Sequence, residues 1–356
     1  MKKVVVVCGP TASGKTALAV ALAKAHNGEV VSADSMQIYR RMDIGTAKPT
    51  LEEMEGIPHH MIDVIDPEED FSVARYVDMA ARCVDDILAR GKLPIIAGGT
   101  GLYIDSLLSG RTFSAFSPES PMRGELEGRI RTEGGAALLE ELAKVDPESA
   151  ARLHPNDEKR IVRALEVYLT TGKTITAHNA ETLAIPPRYD ALTLNLSYED
   201  RADMWSRIDR RVDVMMEQGL VEEVRALLGS GVPEKCTAMQ AIGYKEMVQA
   251  IRVTGDYAAG AEEIKLRSRQ YAKRQLTWFK RNTAARQIVW GMSRILRTPS
   301  AVRQNIWKNL VYDRGTQGGQ AVQRKKECSI CRNSITYRTF FSPRCAGSAG
   351  ASPCSS

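Results

Sequence analysis

At 356 residues, 43% of them hydrophobic, the chain can bury a large core as one domain with an insertion or as two domains. It has no uninterrupted run of about 18 apolar residues, which excludes a membrane-spanning helix, and the apolar run in "MKKVVVVCGP" is too short for a secretory leader, so a cytoplasmic protein is expected. The net charge of +6 comes from the end of the chain: from Ser300 onward nine Lys or Arg face two acidic residues, so the charge alone does not argue for a polyanionic partner.

The first hundred residues alternate short apolar runs with helical patterns. Lys3–Cys8 reads as a strand and Lys15–His26 as a helix. "EVVSADS" gives a second strand at Glu29–Ser32, "HHMIDVID" a third, and a helix follows from Ser72 to Arg90. "KLPIIAGGTG" gives a fourth strand, with the helix "LYIDSLLSG" after it. Such alternation predicts an α/β fold, a parallel sheet covered on both faces, with ligands at the carboxyl ends of its strands. Gly9–Thr16, Asp34–Gln37 and Gly98–Gly101 should converge there.

From Ser114 the texture changes to a linker-like "SAFSPESP" and then charged helical patterns. We expect a helical insertion over residues 114–190, carried on a discontinuous core of residues 1–113 and 191–295. The strand "ALTLNLS" follows the insertion, then helices over Asp200–Gln218, Leu220–Leu228, Tyr244–Ile251 and Tyr257–Arg281, and a last strand "RQIVW". Residues 296–356 show neither helical nor strand periodicity and are expected to be disordered.

"GPTASGKT" is G-x-x-x-x-G-K-T between a predicted strand and a predicted helix, the context a phosphate loop requires. The backbone of Gly9, Pro10, Thr11, Ala12, Ser13 and Gly14 would wrap a phosphate, the Lys15 ammonium would add a charge, and the Thr16 hydroxyl could ligate Mg²⁺. Such a loop is ordinarily read as an ATP-binding, nucleotide-binding site. Yet "PIIAGGTG" ends in glycines where an ATPase carries an acidic residue, Asp63 and Asp66 of "MIDVID" lie in a more ambiguous strand, and nothing obvious orients a water. Thr100 in that glycine turn is a candidate hydrogen-bond donor.

Asp34 follows the second strand and so falls at the ligand edge. There it could hold magnesium, bind a nucleoside hydroxyl, act as a general base, or cap a helix, since Gln37 stands at capping-box spacing. Between Lys265 and Arg286 there are eight basic residues and no acidic one. Met204, Trp205, Ile208, Val212, Met215 and Met216 form a helical stripe that reads as core. His59 and His60 lack partners at metal-ligand spacing and read as structural. The tail's Cys328 and Cys331, with Cys345 and Cys354, are weak as a zinc site. Cysteine usage overall is no disulfide framework.

"GPTASGKT", "SADSMQIYRRMDIGTAKP", "PHHMIDV", "IIAGGTGLYI", "HPNDEKRIVRALEVY", "AIGYKE" and "RQYAKRQLTWFKR" occur in an order and spacing that resembles the tRNA dimethylallyltransferases, over residues 1–290. The resemblance implies a P-loop NTPase-like core, and transfer of a dimethylallyl group from dimethylallyl diphosphate to N6 of adenosine 37 in tRNAs reading codons that begin with U. It implies Mg²⁺ as cofactor, the anticodon stem-loop as partner, and a monomer. Asp34 would then accept the N6 proton, Thr100 would contact the diphosphate bridging oxygen or the amine, and Arg211 would reach the diphosphate. Asp34, Ser35, Met36 and Gln37 would read the adenine edge.

Further tRNA contacts are implied for Arg123, for Lys159, Arg160, Ile161, Val162 and Arg163, and for Gln240, Ala241, Ile242, Gly243, Tyr244 and Lys245. So are contacts from Lys273, Arg274, Gln275, Leu276, Thr277, Trp278, Phe279 and Lys280, with Trp278 or Phe279 stacking on a base. Around Arg123 the flanking "SPESPM" departs from the family pattern. So does the tail, where the zinc finger of eukaryotic relatives would need two histidines that the tail lacks.

Overall fold

A computed structural model describes residues 2–109 and 120–290 of the chain. The β-branched run Lys3–Cys8 forms β1 and leads through the glycine loop into α1 (Lys15–His26) and β2 (Gly28–Ser32). After α2 (Leu51–Met54) come β3 (His59–His60), α3 (Val73–Ala89), β4 (Leu93–Gly98) and α4 (Gly101–Leu108). Five helices follow: α5 (Pro121–Glu133), α6 (Gly135–Val145), α7 (Pro147–Ala150), α8 (Glu158–Thr171) and α9 (Ile175–Leu183). The chain then returns to the sheet as β5 (Asp190–Tyr198) and runs through α10 (Arg201–Glu217), α11 (Leu220–Gly229), α12 (Tyr244–Gln249) and α13 (Tyr257–Phe279) to β6 (Arg286–Trp290).

The six strands are ordered β3-β2-β4-β1-β5-β6 and every neighbouring pair is parallel. β1 lies between β4 and β5 and is buried on both faces beyond Lys3, which is why its sequence is a continuous apolar run with no alternation. The register places Cys8 beside Gly98 on one side and Asn195 on the other, so the glycine loop leaves the sheet between the ends of β4 and β5.

α3 packs on the sheet through Tyr76, Val77, Ala80, Val84 and Ile87, a helical stripe. It starts where the Ser72 hydroxyl accepts the Arg75 N–H at 3.2 Å, a cap that contributes about 1 kcal/mol. Helices α10 to α13 enclose a second core around Ile38, Tyr39, Met42, Met239, Tyr244 and Met247, which fixes the 36–47 segment against them. Helices α5, α6 and α8 share a core of their own, with Leu126, Ile130, Leu138, Leu142, Ile161 and Leu165.

Three expectations change. The third strand is only two residues long, because Met61 (φ 63°) and Asp63 (φ 55°) adopt left-handed backbone and end it; the chain touches the sheet direction again only in a single bridge from Ile65 to Tyr39. Trp205 does not belong to the core stripe of α10, being 44% exposed, whereas Met204, Ile208, Val212 and Met215 are buried. Asp34–Gln37 caps no helix. The expected tail, with its cysteines, and most of the linker "SAFSPESP" lie outside the described residues. No helix among the described residues is long and apolar enough to cross a membrane.

Candidate active site

Three chain segments meet at the carboxyl edge of the sheet: the glycine loop after β1, the turn after β2, and the glycine turn after β4. The loop is held from both sides. Lys15 Nζ folds back to donate to the Pro10 carbonyl at 2.7 Å, the Tyr198 hydroxyl donates to the Ala12 carbonyl at 2.6 Å, and the Thr11 N–H donates to Gln275 Oε1 at 2.9 Å. Burial, reinforced by the neighbouring Arg211 charge, lowers the Lys15 pKa to about 8, against the opposing pull of Asp34. A cation so placed, on a glycine loop at the start of a helix, suits an anionic ligand.

In the turn after β2, Asp34 Oδ1 accepts the Met36 N–H at 2.9 Å, closing a short side-chain-to-backbone turn, and Asp34 lines the adjoining cavity. The next N–H, that of Ser35, is taken by Thr100 Oγ1 at 3.0 Å, and the Thr100 N–H donates to the Ala33 carbonyl at 3.1 Å. The Thr100 turn after β4 is thus tied to the residues on either side of Asp34, across the ends of β2 and β4. Gln37 turns inward, from Ser32 Oγ (3.2 Å) to the Ala47 carbonyl (3.2 Å). Arg211 on α10 donates to that same carbonyl at 3.3 Å, and burial lowers its pKa.

Two cavities adjoin here. One of about 500 Å³ is lined by the glycine loop through Ala17, with Asp34, Gln37, Lys48, Glu53 and Arg211. The other, of about 310 Å³, is lined by Asp34, Ser35, Met36, Arg211, Ile242 and Arg274 among others. Thr11, Asp34, Thr46, Ala47, Arg211, Met215 and Tyr271 line both. No group of three or more His, Cys, Asp or Glu among the described residues forms a metal cage. Oxygen donors lining the larger cavity include the Thr16 hydroxyl and the carboxylates of Asp34, Asp43 and Glu53.

Several residues expected to touch RNA face inward instead. Ile161 and Val162 are buried in the core of the α5–α8 helices, and Ala241, Gly243, Tyr244 and Phe279 are buried as well. Phe279 belongs to the core under the sheet. Trp278 packs on the first turn of α4: a Cβ on Gly101 would sit 2.2 Å from its ring, and its Nε1–H donates to Asp105 at 2.8 Å. Gln275 is buried against the glycine loop. On the exposed side are Lys159, Arg160, Gln240, Lys245, Lys273, Arg274, Thr277 and Lys280, with Ile242, Leu276 and Arg163 half-buried. Arg123 on α5 and Arg163 on α8 share the fully buried Glu166 carboxylate, at 3.1 and 2.9 Å.

The sequence reading missed Tyr271, Tyr198 and Glu223. Tyr271 lies one helical turn before Gln275 on α13, so its position on the inner face follows once Gln275 is placed. Tyr198 and Glu223 carried no signal, because the groups they bond, chiefly backbone groups of loops, lie distant in sequence. His59 and His60 are structural: His59 Nδ1 bonds the Ile57 carbonyl at 2.8 Å and His60 Nε2 the Glu29 carboxylate at 2.8 Å.

A sequence model of the family described as IPP transferase matches residues 37–282. A tRNA dimethylallyltransferase of Caldanaerobacter subterraneus is 48% identical over 309 residues, covering 86% of this chain and 97% of its own. One of Geobacter sulfurreducens is 49% identical over 286 residues, covering 80% and 91%. Among solved structures, a tRNA isopentenylpyrophosphate transferase of Bacillus halodurans superposes with a TM-score of 0.65 at 40% identity, over 87% of this chain and 97% of its own. A eukaryotic dimethylallyltransferase acting on tRNA gives 0.74 at 31% identity, over 86% and 78%. The chain therefore belongs to the IPP transferase family of prenyl-transferring enzymes.

Proposed function

We propose that the chain transfers a dimethylallyl group from dimethylallyl diphosphate to N6 of adenosine 37 in tRNAs reading codons that begin with U, releasing diphosphate. The observation that carries this reading is the pair of adjoining cavities with Asp34 and Arg211 in their common wall. One cavity has the cationic loop a diphosphate needs; the other opens toward Ile242 and Arg274 and offers the acceptor base a way to Asp34. In the reaction the N6–C1 bond forms as the C1–O bond breaks. Asp34 takes the N6 proton, and the bonding pair leaves on the diphosphate, held by the loop N–H groups, Lys15 and Arg211.

Mg²⁺ would bind at Thr16 and the donor's own phosphate oxygens. A hydroxyl with scattered carboxylates nearby suits an ion that keeps most of its waters and needs no protein cage. Bound there, it would neutralise charge on the leaving diphosphate. Lys273, Arg274 and Lys280 on α13, Lys245, and the exposed Lys159 and Arg160 of α8 would neutralise phosphates of the anticodon stem-loop. The α5–α9 helices, with residues 114–190, act as the RNA-contacting insertion domain, on a monomer working in the cytoplasm.

Incubation with labelled dimethylallyl diphosphate, Mg²⁺ and unmodified tRNA tests the reading. Label is expected in tRNAs reading U-initial codons, and chelation of Mg²⁺ is expected to abolish it. Unlabelled tRNA together with phosphorylation of a small molecule from ATP would overturn the proposal.

A further inference from the structure

Gln275 sits in the segment whose family resemblance implies RNA contact, yet only 5% of it is exposed, on the inner face of α13. Its carboxamide is a two-ended bridge. Oε1 accepts the Thr11 N–H at 2.9 Å, and Nε2 donates to the Gly99 carbonyl at 2.9 Å. The Gly99 side of this bridge has no slack: a Cβ at that position would lie 2.3 Å from Gln275 Nε2. Gly99 in turn precedes Thr100, whose N–H and hydroxyl are tied to Ala33 and Ser35 beside Asp34. Tyr271, one turn earlier on α13, lines both cavities together with Thr11 and Asp34.

We infer that Gln275 is a positioning residue for the donor diphosphate. Its carboxamide sets the glycine loop at the distance from the Gly99–Thr100 turn at which the loop amides and Thr100 face the same phosphate. The argument is one of polarity as well as fit. A buried carboxamide with donor and acceptor both satisfied fixes two backbone segments at once, whereas an apolar side chain of equal volume would leave the Thr11 N–H and the Gly99 carbonyl without these partners. The same helix carries Lys273 and Arg274 on its exposed side, so Gln275 also links the surface proposed to dock RNA with the loop proposed to hold the donor. The inference rests on the functional reading above.

Gln275→Glu tests it in the full chain, because the variant is isosteric and a protonated carboxylic acid can still accept from Thr11 and donate to Gly99, whereas the carboxylate cannot donate. The probe is dimethylallyl thiolodiphosphate with Mg²⁺, by titration calorimetry from pH 5 to pH 8, beside stem-loop RNA binding by fluorescence anisotropy. Expected at pH 8 is donor binding weakened at least about tenfold, with RNA affinity within about twofold of the parent; the donor gap closes toward pH 5 as the side chain protonates. Gln275→Met should show a similar loss with no recovery at low pH. Donor binding within twofold of the parent at every pH, a gap that does not change with pH, or a loss confined to RNA binding would each overturn the inference. Absence of donor binding by the parent chain would instead overturn the functional reading on which it rests.

Discussion

The Tyr244 hydroxyl donates to Glu223 Oε1 at 2.5 Å, and the same carboxylate collects the backbone N–H groups of Asp43, Ile44 and Gly45 at 2.9, 2.8 and 3.1 Å. Tyr244 is completely buried, and that burial, together with the carboxylate beside it, pushes its phenol far above the usual range. These five groups hold the 43–47 loop, whose Ala47 carbonyl is the anchor of Arg211 and Gln37.

Glu223→Gln should therefore act at a distance. We expect a stability loss of about 1–3 kcal/mol by thermal or chemical denaturation, because the amide accepts at only one of its two atoms. We also expect kcat/KM for the allylic donor to fall about tenfold as Arg211 loses its fixed partner, with RNA affinity unchanged. Wild-type kinetics in the variant would show that the loop needs no carboxylate to hold Arg211.

Asp34→Asn separates the two jobs of that side chain. The amide oxygen can still accept the Met36 N–H and keep the turn, but it cannot take a proton. Turnover is expected to fall by about 10² to 10⁴, with donor and stem-loop affinities within about twofold of the parent. If turnover persists, Asp34 shapes the site and does not act as its base.

Lys15 makes donor affinity depend on pH. Its ammonium, lowered to about 8 mainly by burial, must be protonated to meet the diphosphate. Raising the pH through 8 in the ligand-free protein therefore weakens binding, by about tenfold between pH 7 and pH 9 for a single titrating group. Binding takes up a proton in that interval. Lys15→Arg should remove this dependence, since a guanidinium does not titrate there. Calorimetry in buffers of different ionisation enthalpy measures both.

At the opposite end of the sheet, Glu29 is 3% exposed and receives Arg90 (2.5 and 2.8 Å), Lys92 (2.7 Å) and His60 (2.8 Å). The Arg90 hydrogen bonds, then those of Lys92 and His60, hold its carboxyl well below the usual range against the effect of burial. A depressed folded-state pKa contributes stability above the unfolded value, about 4.3, and that contribution is lost as pH falls through the folded one. Acid denaturation should be shallower in Glu29→Gln, which should also cost about 3 kcal/mol at neutral pH and leave catalysis unchanged. A parallel acid limb in parent and variant would contradict this.

The parallel sheet and the phosphate loop were legible because their causes are local. An apolar run buried on both faces, a glycine loop opening a helix and a Ser72 cap each announce themselves within a few residues. The two-residue β3 was not legible, since left-handed Met61 and Asp63 come from the fit of the 61–65 segment and not from their residue types. Nor was the facing of α13. Its basic residues and its Gln275, Trp278 and Phe279 occupy one motif, and only packing against the glycine loop and α4 assigns them to opposite sides. Nor was the burial of the Tyr244 and Ile161 side chains, for the same reason: a motif marks a segment, while packing decides which of its side chains turn inward.

The shared wall of the two cavities also sets a kinetic form. Asp34 can be approached from the loop side and from the Arg274 side without either ligand vacating its space. Both substrates can be aboard together, and no side chain needs to carry the prenyl group between them. Initial-rate lines at varied donor and acceptor should intersect, a ternary-complex pattern, and the protein recovered after exposure to donor alone should carry no added mass.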